Sequence, residues 1–183
     1  MLFDLGVNVV PNMTLSVVYS AIEMLDSQFD KVIIAEKLEE SLILLKEKFC
    51  WRFVDIVYLT KNARKAHRKK IIGDQIARKL RLLNSGDTLL YNFFVAKHER
   101  AVQEFGRERM NQEIELLRSH VEHFTQKCNI NVEDSFKYDS KKFKGSLNIY
   151  KVTKNSPLEC QLLSVSEFDL LGRIERQFVT KLK

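Results

Sequence analysis

The residues best placed for chemistry lie in the run Ala35-Glu36-Lys37-Leu38-Glu39-Glu40-Ser41. They follow directly on the β-branched stretch Val32-Ile33-Ile34-Ala35, and in an open α/β sheet ligands bind beyond the carboxyl ends of the strands. Glu36 occupies that place, where a carboxylate orients a sugar hydroxyl or serves as a general base. The same spacing supports a plainer role, with Glu39 and Glu40 as first-turn acids that complement a helix dipole and Ser41 close to the cap. A second candidate is Lys61-Asn62-Ala63-Arg64, where a fork-shaped guanidinium suits a phosphate or sulfate. His120 and His123 stand three apart on a helical pattern, but no second carboxylate or cysteine pair accompanies them, so no metal site is expected. His67 and His98 are expected to be exposed. The sequence contains no glycine-rich phosphate loop, dinucleotide fingerprint, His-Glu-x-x-His or nucleophile elbow.

Positioning these residues requires a strand that feeds a helix. Phe29 to Glu36 reads as a buried parallel strand, and Glu39 to Phe49, with Leu38, Leu42, Leu45 and Phe49 on one stripe, as its crossover helix. A helix is expected before it over Thr14 to Leu25, and a second strand after it over Phe53 to Leu59. The basic segment should be helical from about Lys65 to Leu83. Asn84-Ser85-Gly86-Asp87 opens a helix with Tyr91, Phe94, Val95, Val102 and Phe105 on one face, closed by Gly106. Arg107 to Cys128 repeats Met110, Ile114, Leu117, Val121, Phe124 and Cys128 in steps of four and three, a helix that packs within its own domain. Asn129 to Ser156 reads as a loop or weak hairpin. Ser166-Glu167-Phe168-Asp169 then forms a capping box before a last helix striped by Leu171, Ile174, Phe178 and Leu182.

Composition narrows the class. The chain has 183 residues, 45% of them hydrophobic and 30% charged, enough for one domain with a core and too apolar for disorder. Two prolines and six glycines exclude collagen-like and linker-rich chains. No apolar run spans a bilayer, and Met-Leu-Phe-Asp-Leu-Gly lacks the features of a signal peptide. The net charge of +6 is concentrated: Lys61 to Arg81 holds nine basic residues against Asp74 alone, leaving the rest slightly acidic. An anionic partner should therefore be sought in that segment. Of the three cysteines, Cys50 in Lys48-Phe49-Cys50-Trp51 is expected buried, while Cys128 and Cys160 flank a polar stretch and would pair in an oxidising compartment. Asn12-Met13-Thr14 is a glycosylation acceptor only in a secretory lumen.

Ordered blocks of the sequence resemble the galactose-3-O-sulfotransferases. They are Phe3-Asp4-Leu5-Gly6, Val32-Ile33-Ile34-Ala35-Glu36-x-x-Glu39-Glu40-Ser41, Trp51, Asp55-Ile56-Val57-Tyr58, Asn62-Ala63-Arg64, Asp87-x-x-Leu90-Tyr91-x-x-Phe94 and Phe105-Gly106-x-x-x-Met110. Together they cover about the first two thirds of the chain. The resemblance implies the carboxyl-terminal part of an α/β, P-loop-like sulfotransferase fold, helix-rich with a few parallel strands. It implies a single partial domain over 1–183, with a βα core in 1–60, helices in 61–128 and a loop plus final helix in 129–183. The implied enzyme sits in the Golgi membrane, facing the lumen. It moves a sulfonate from 3'-phosphoadenylyl sulfate to the 3-hydroxyl of galactose on a glycolipid or glycoprotein, without a metal.

Glu36, Glu40, Ser41, Asn62 and Arg64 are then the acceptor contacts, with Glu36 or Glu40 as catalytic candidates. The family's donor-binding segments and membrane anchor precede the Phe-Asp-Leu-Gly block, so the chain alone is expected to be inactive. Two departures bear on acceptor choice: the family's Asp-Glu-Ser is Glu39-Glu40-Ser41 here, and its Leu before Asn-x-Arg is Lys61. The competing reading is a non-enzymatic helical module that binds nucleic acid or anionic membrane through Lys61 to Arg81. Nucleic acid is the less favoured, because no aromatic residues are interleaved there for base stacking.

Overall fold

A computed structural model describes residues 1–8, 14–61, 71–134, 148–153 and 155–181. Its helices are α1 (Leu15–Gln28), α2 (Leu38–Phe49), α3 (Asp74–Leu83), α4 (Ser85–Phe105), α5 (Arg107–Lys127), α6 (Leu158–Ser164) and α7 (Glu167–Lys181). The described strands are β1 (Asn131–Asp134) and β2 (Asn148–Lys151), paired antiparallel with Asn131 opposite Lys151 and Asp134 opposite Asn148. The protein is thus helix-rich. The chain divides into two compact units, Met1–Ile56 with Ile71–Leu117, and Val57–Lys70 with Arg118–Lys183.

In the first unit α1 and α2 both pack on α4. The core joins Leu2, Val18, Ala21, Ile22, Leu25, Ile34, Leu90 and Phe94. Each Leu or Ile so buried contributes about 1.5–3 kcal/mol. On α1 Val18, Ala21, Ile22 and Leu25 face inward, while Leu15 is exposed. Gly86 lets the amino terminus approach: a Cβ there would lie 2.9 Å from Leu2 Cδ1. Asp87 fixes the same contact by accepting the Leu2 amide at 2.8 Å. Gly106, at φ 95°, stops α4, and its amide bonds the Val102 carbonyl at 3.1 Å.

Two expected strands are corrected. Residues 31–34 belong to no strand among the described residues, although Ile34 itself is extended, and Ala35–Lys37 is a 3-10 turn. A strand needs a neighbouring backbone to bond, and here the groups of Ile34 are taken locally: its amide by Ser41 Oγ at 3.1 Å and its carbonyl by the Lys37 amide at 2.9 Å. Phe53–Ile56 is likewise a 3-10 turn, with the Asp55 carboxylate accepting the Arg52 amide at 2.9 Å. The α2 stripe also differs, since Ser41, Ile43 and Leu44 are buried and Phe49 is exposed. Of the basic segment only Asp74–Leu83 is seen as helix; 62–70 lie outside the described residues.

In the second unit the Tyr150 hydroxyl donates to the Thr60 carbonyl at 3.1 Å, and Lys61 Nζ to the Val165 carbonyl at 2.7 Å. Cys128 and Cys160 form a disulfide with Cα atoms 5.3 Å apart, tying the end of α5 to α6. Lys127 and Glu159 pair beside it at 3.3 Å. Cys50 is an exposed free thiol, contrary to expectation. It holds the left-handed position that closes α2, at φ 53°, where the chain turns outward instead of continuing into the core. The capping box before α7 is present, the Asp169 amide donating to Ser166 Oγ at 3.2 Å. Leu171, Ile174 and Phe178, on one stripe of α7, are exposed; Leu182 lies outside the described residues.

Candidate functional site

The polar centre of the first unit is built where the first turn of α2 meets the middle of α4. Glu40 stands in that first turn, favoured there by the helix dipole. His98 lies on α4 in the row Leu90, Phe94, His98, Val102, four apart and all buried. His98 is only 4% exposed, which overturns the expectation of a surface histidine: its position on the apolar stripe carries it inward. Its Nε2 lies 3.0 Å from Glu40 Oε2, while Nδ1 is buried with no protein partner.

Glu40 is engaged on both oxygens. Arg107 Nη1 donates to Oε1 at 2.7 Å, and Arg107 Nη2 reaches Glu99 at 3.0 Å. Lys37 bridges the two carboxylates, 3.7 Å from Glu40 and in direct contact with Glu99. The hydrogen bond from Lys37 holds the Glu99 carboxyl below the usual range, with Arg107 adding to it. The same bond from Glu99 raises Lys37. Two acids and two cations thus form one network, joined to the imidazole through Glu40.

On another side His98 borders an open cleft of about 100 Å³, whose wall includes Asp26, Phe29, Asp30, Lys31 and Lys97. Lys97 pairs with Asp26, and Lys48 donates to Asp30 Oδ1 at 3.1 Å. Lys31 is pushed down by burial and then by the neighbouring charges of Lys48 and Lys97. The lining holds two acids and two lysines, so it is charge-balanced, and Phe29 offers a half-exposed ring face. Such a wall exchanges hydrogen bonds with hydroxyl groups and gives a polyanion no excess of positive charge.

The structure brings together only some of the residues marked from sequence. Glu40 is in the cluster. Glu36 is exposed in the turn before α2. Ser41 is fully buried, its hydroxyl on the Ile34 backbone, so it fixes the approach to α2. Asn62, Arg64, His67 and the acceptor Asn12 lie outside the described residues. Among the described residues no group of three or more His, Cys, Asp or Glu is arranged to hold a metal ion. Sequence reasoning missed His98 and Arg107. The signal for His98 was there, a polar residue at the four-residue step of an apolar row; Arg107, one residue past the glycine break, offered none.

Comparison with known proteins assigns the family. The family model for galactose-3-O-sulfotransferase matches residues 1–156. The galactosylceramide sulfotransferase of Bos taurus is 34% identical over 126 residues, which is 69% of this chain and 30% of that protein. The galactosylceramide sulfotransferase of Homo sapiens is 34% identical over 116 residues, 63% of this chain and 27% of its own length. Galactose-3-O-sulfotransferase 4 of Homo sapiens is 25% identical over 199 aligned residues, 96% of this chain and 40% of the relative. The chain therefore spans between a quarter and a half of the length of these curated relatives. No solved structure matches it. With more than four fifths of its length matched by the one model, the chain belongs to the galactose-3-O-sulfotransferase family, a family of enzymes.

Proposed function

We propose that this chain supplies the acceptor side of a galactose sulfotransferase, an enzyme that transfers a sulfonate from 3'-phosphoadenylyl sulfate to the 3-hydroxyl of galactose on a glycolipid or glycoprotein. The observation that carries the reading is the family match over residues 1–156. The described cleft supports the acceptor over the donor. A donor with two phosphates and a sulfonate needs surplus cations, whereas Asp26 and Asp30 offset Lys31 and Lys97 here. A neutral hexose suits that balance, with its apolar face on Phe29 and its hydroxyls on the charged rim.

In this reading Glu40 is a positioning residue that holds the His98 ring, and Ser41 fixes the segment leading to it. Glu36, exposed just before α2, contacts the acceptor and is the candidate base for its hydroxyl. Asn62 and Arg64 are assigned to the acceptor or the transferring group on the family resemblance alone. The donor supplies the sulfonate and a phosphate leaving group. No described residue is assigned to donor binding in this reading, and the chain spans 27–40% of the length of these curated relatives. No helix among the described residues is long and apolar enough to cross a membrane. A Golgi-lumenal setting is supported by the Cys128–Cys160 bridge, which forms and persists in oxidising compartments.

The test is binding followed by transfer. Saturation-transfer NMR with methyl β-galactoside should show contact with the chain that weakens in His98→Asn. A chimaera in which this chain replaces the matching part of the bovine relative should transfer labelled sulfonate to galactosylceramide. Glu36→Gln in that chimaera should lower kcat, and His98→Asn should raise the acceptor KM alone. A folded chimaera that sulfonates no galactoside would overturn the reading, and unchanged kinetics in Glu36→Gln would remove that residue from it.

A further inference from the structure

Helix α3 turns its apolar side to solvent. Ile72, just ahead of the helix, and Ile76, Leu80 and Leu83 follow one another in steps of four, four and three, so they share one face. All are exposed, Ile76 by 58%, Leu80 by 44% and Leu83 by 81%, and no residue of α3 is buried. A helix of ten residues is marginal in water by itself, and one that presents a row of large aliphatics needs an apolar cover.

The charges indicate what that cover is. Arg78 and Arg81 lie around the helix from the aliphatic row, and Lys79 stands at its margin, where its stem can lie along apolar surface with the ammonium raised. Asp74, in the first turn, is the only acid between Lys61 and Arg81. An apolar face with one cation at its margin and two on the opposite side, inside the most basic segment of the chain, is the pattern of a helix lying in the plane of a lipid–water interface. Nucleic acid would satisfy the cations and leave the aliphatics wet, and Lys61 to Leu83 contains no Phe, Tyr or Trp to stack on bases.

We infer that α3 is a membrane-docking element, resting on an anionic phospholipid surface with Ile72, Ile76, Leu80 and Leu83 at the acyl boundary and Arg78, Lys79 and Arg81 among the headgroups. The inference is independent of sulfonate transfer.

The experiment is co-sedimentation of the full, oxidised chain with phosphatidylcholine vesicles, with and without phosphatidylserine. Binding to the serine-containing vesicles is expected to be at least about tenfold tighter, and to weaken as salt is raised. Ile76→Asp with Leu80→Asp should abolish it. Changing Arg78, Lys79 and Arg81 together to Gln should remove the preference for the anionic lipid. All five side chains are exposed, so circular dichroism should be unchanged in both variants. An Ile76→Trp chain gives a second readout, its emission shifting to the blue on vesicle addition. Three results overturn the inference: no binding to anionic vesicles, binding that survives the double Asp change, or preference for a single-stranded oligonucleotide over vesicles. Self-association abolished by the double Asp change in a chain that ignores vesicles would assign the face to a second copy instead.

Discussion

The Ser41 hydroxyl stands 3.1 Å from the amide nitrogen and 3.5 Å from the carbonyl oxygen of Ile34, seven residues back along the chain. Both groups are buried, and the side chain does for the Ile34 amide what a neighbouring strand would otherwise do. The segment is thereby bound to the helix that follows it.

Removing that hydroxyl is expected to leave a buried amide without a partner. Ser41→Ala should lose about 1–3 kcal/mol of stability in urea unfolding. A loss within about 0.5 kcal/mol, the range of an ordinary surface change, would show that the contact does not hold the segment.

The Glu40–His98 pair should behave as a unit. Glu40→Ala leaves the enclosed imidazole without its acceptor and deprives Arg107 of a ligand, and a loss of about 2–4 kcal/mol is expected. In the unaltered chain nitrogen NMR should find a proton on His98 Nε2, facing the Glu40 carboxylate. Protonation on Nδ1 alone would contradict the geometry.

Acid should weaken the cluster through Glu99. Its folded-state carboxyl titrates below the unfolded one because of Lys37 and then Arg107, so its contribution is present above the unfolded carboxyl range and is lost as pH falls through the folded value. Lys37 has the opposite sign: its raised value gives a contribution that is full at neutral pH and is lost as alkali passes the folded value. Glu99→Gln should therefore flatten both the acid limb and the alkaline limb of a stability–pH curve. An acid limb of unchanged slope would show that Glu99 is not a source of it.

Several of these features were legible in the sequence. The apolar periodicities of 15–28, 38–49, 85–105 and 107–127 are strong enough to mark helices, and glycine and capping residues set their ends close to where they lie. The polar stretch between Cys128 and Cys160 favours them as the pair in an oxidising compartment, and they are bridged. What failed was the translation of β-branched runs into strands. Val32-Ile33-Ile34 has the propensity, but a strand is a relation between two segments, and a single local hydroxyl can satisfy the backbone instead. His98 was misjudged because its flanking Lys97 and Glu99 are polar, whereas its environment is set by residues four away. Arg107 and Glu99 meet only because Gly106 redirects the chain between two long helices, which no local pattern encodes.

The disulfide should be the main brace of the second unit. Closing a loop between residues 32 apart restricts the unfolded chain by about 3–4 kcal/mol. Reduction, or Cys160→Ser, should lower the thermal midpoint accordingly, with the change read by calorimetry under matched pH. An unchanged midpoint would mean that the unit is held without it.

The same bridge has a practical corollary for handling the protein. A protease cut anywhere between Cys128 and Cys160 severs the backbone but not the molecule, because the sulfur link keeps the pieces in one covalent particle. A nicked sample would run intact on an ordinary gel and fall into two bands only after thiol treatment.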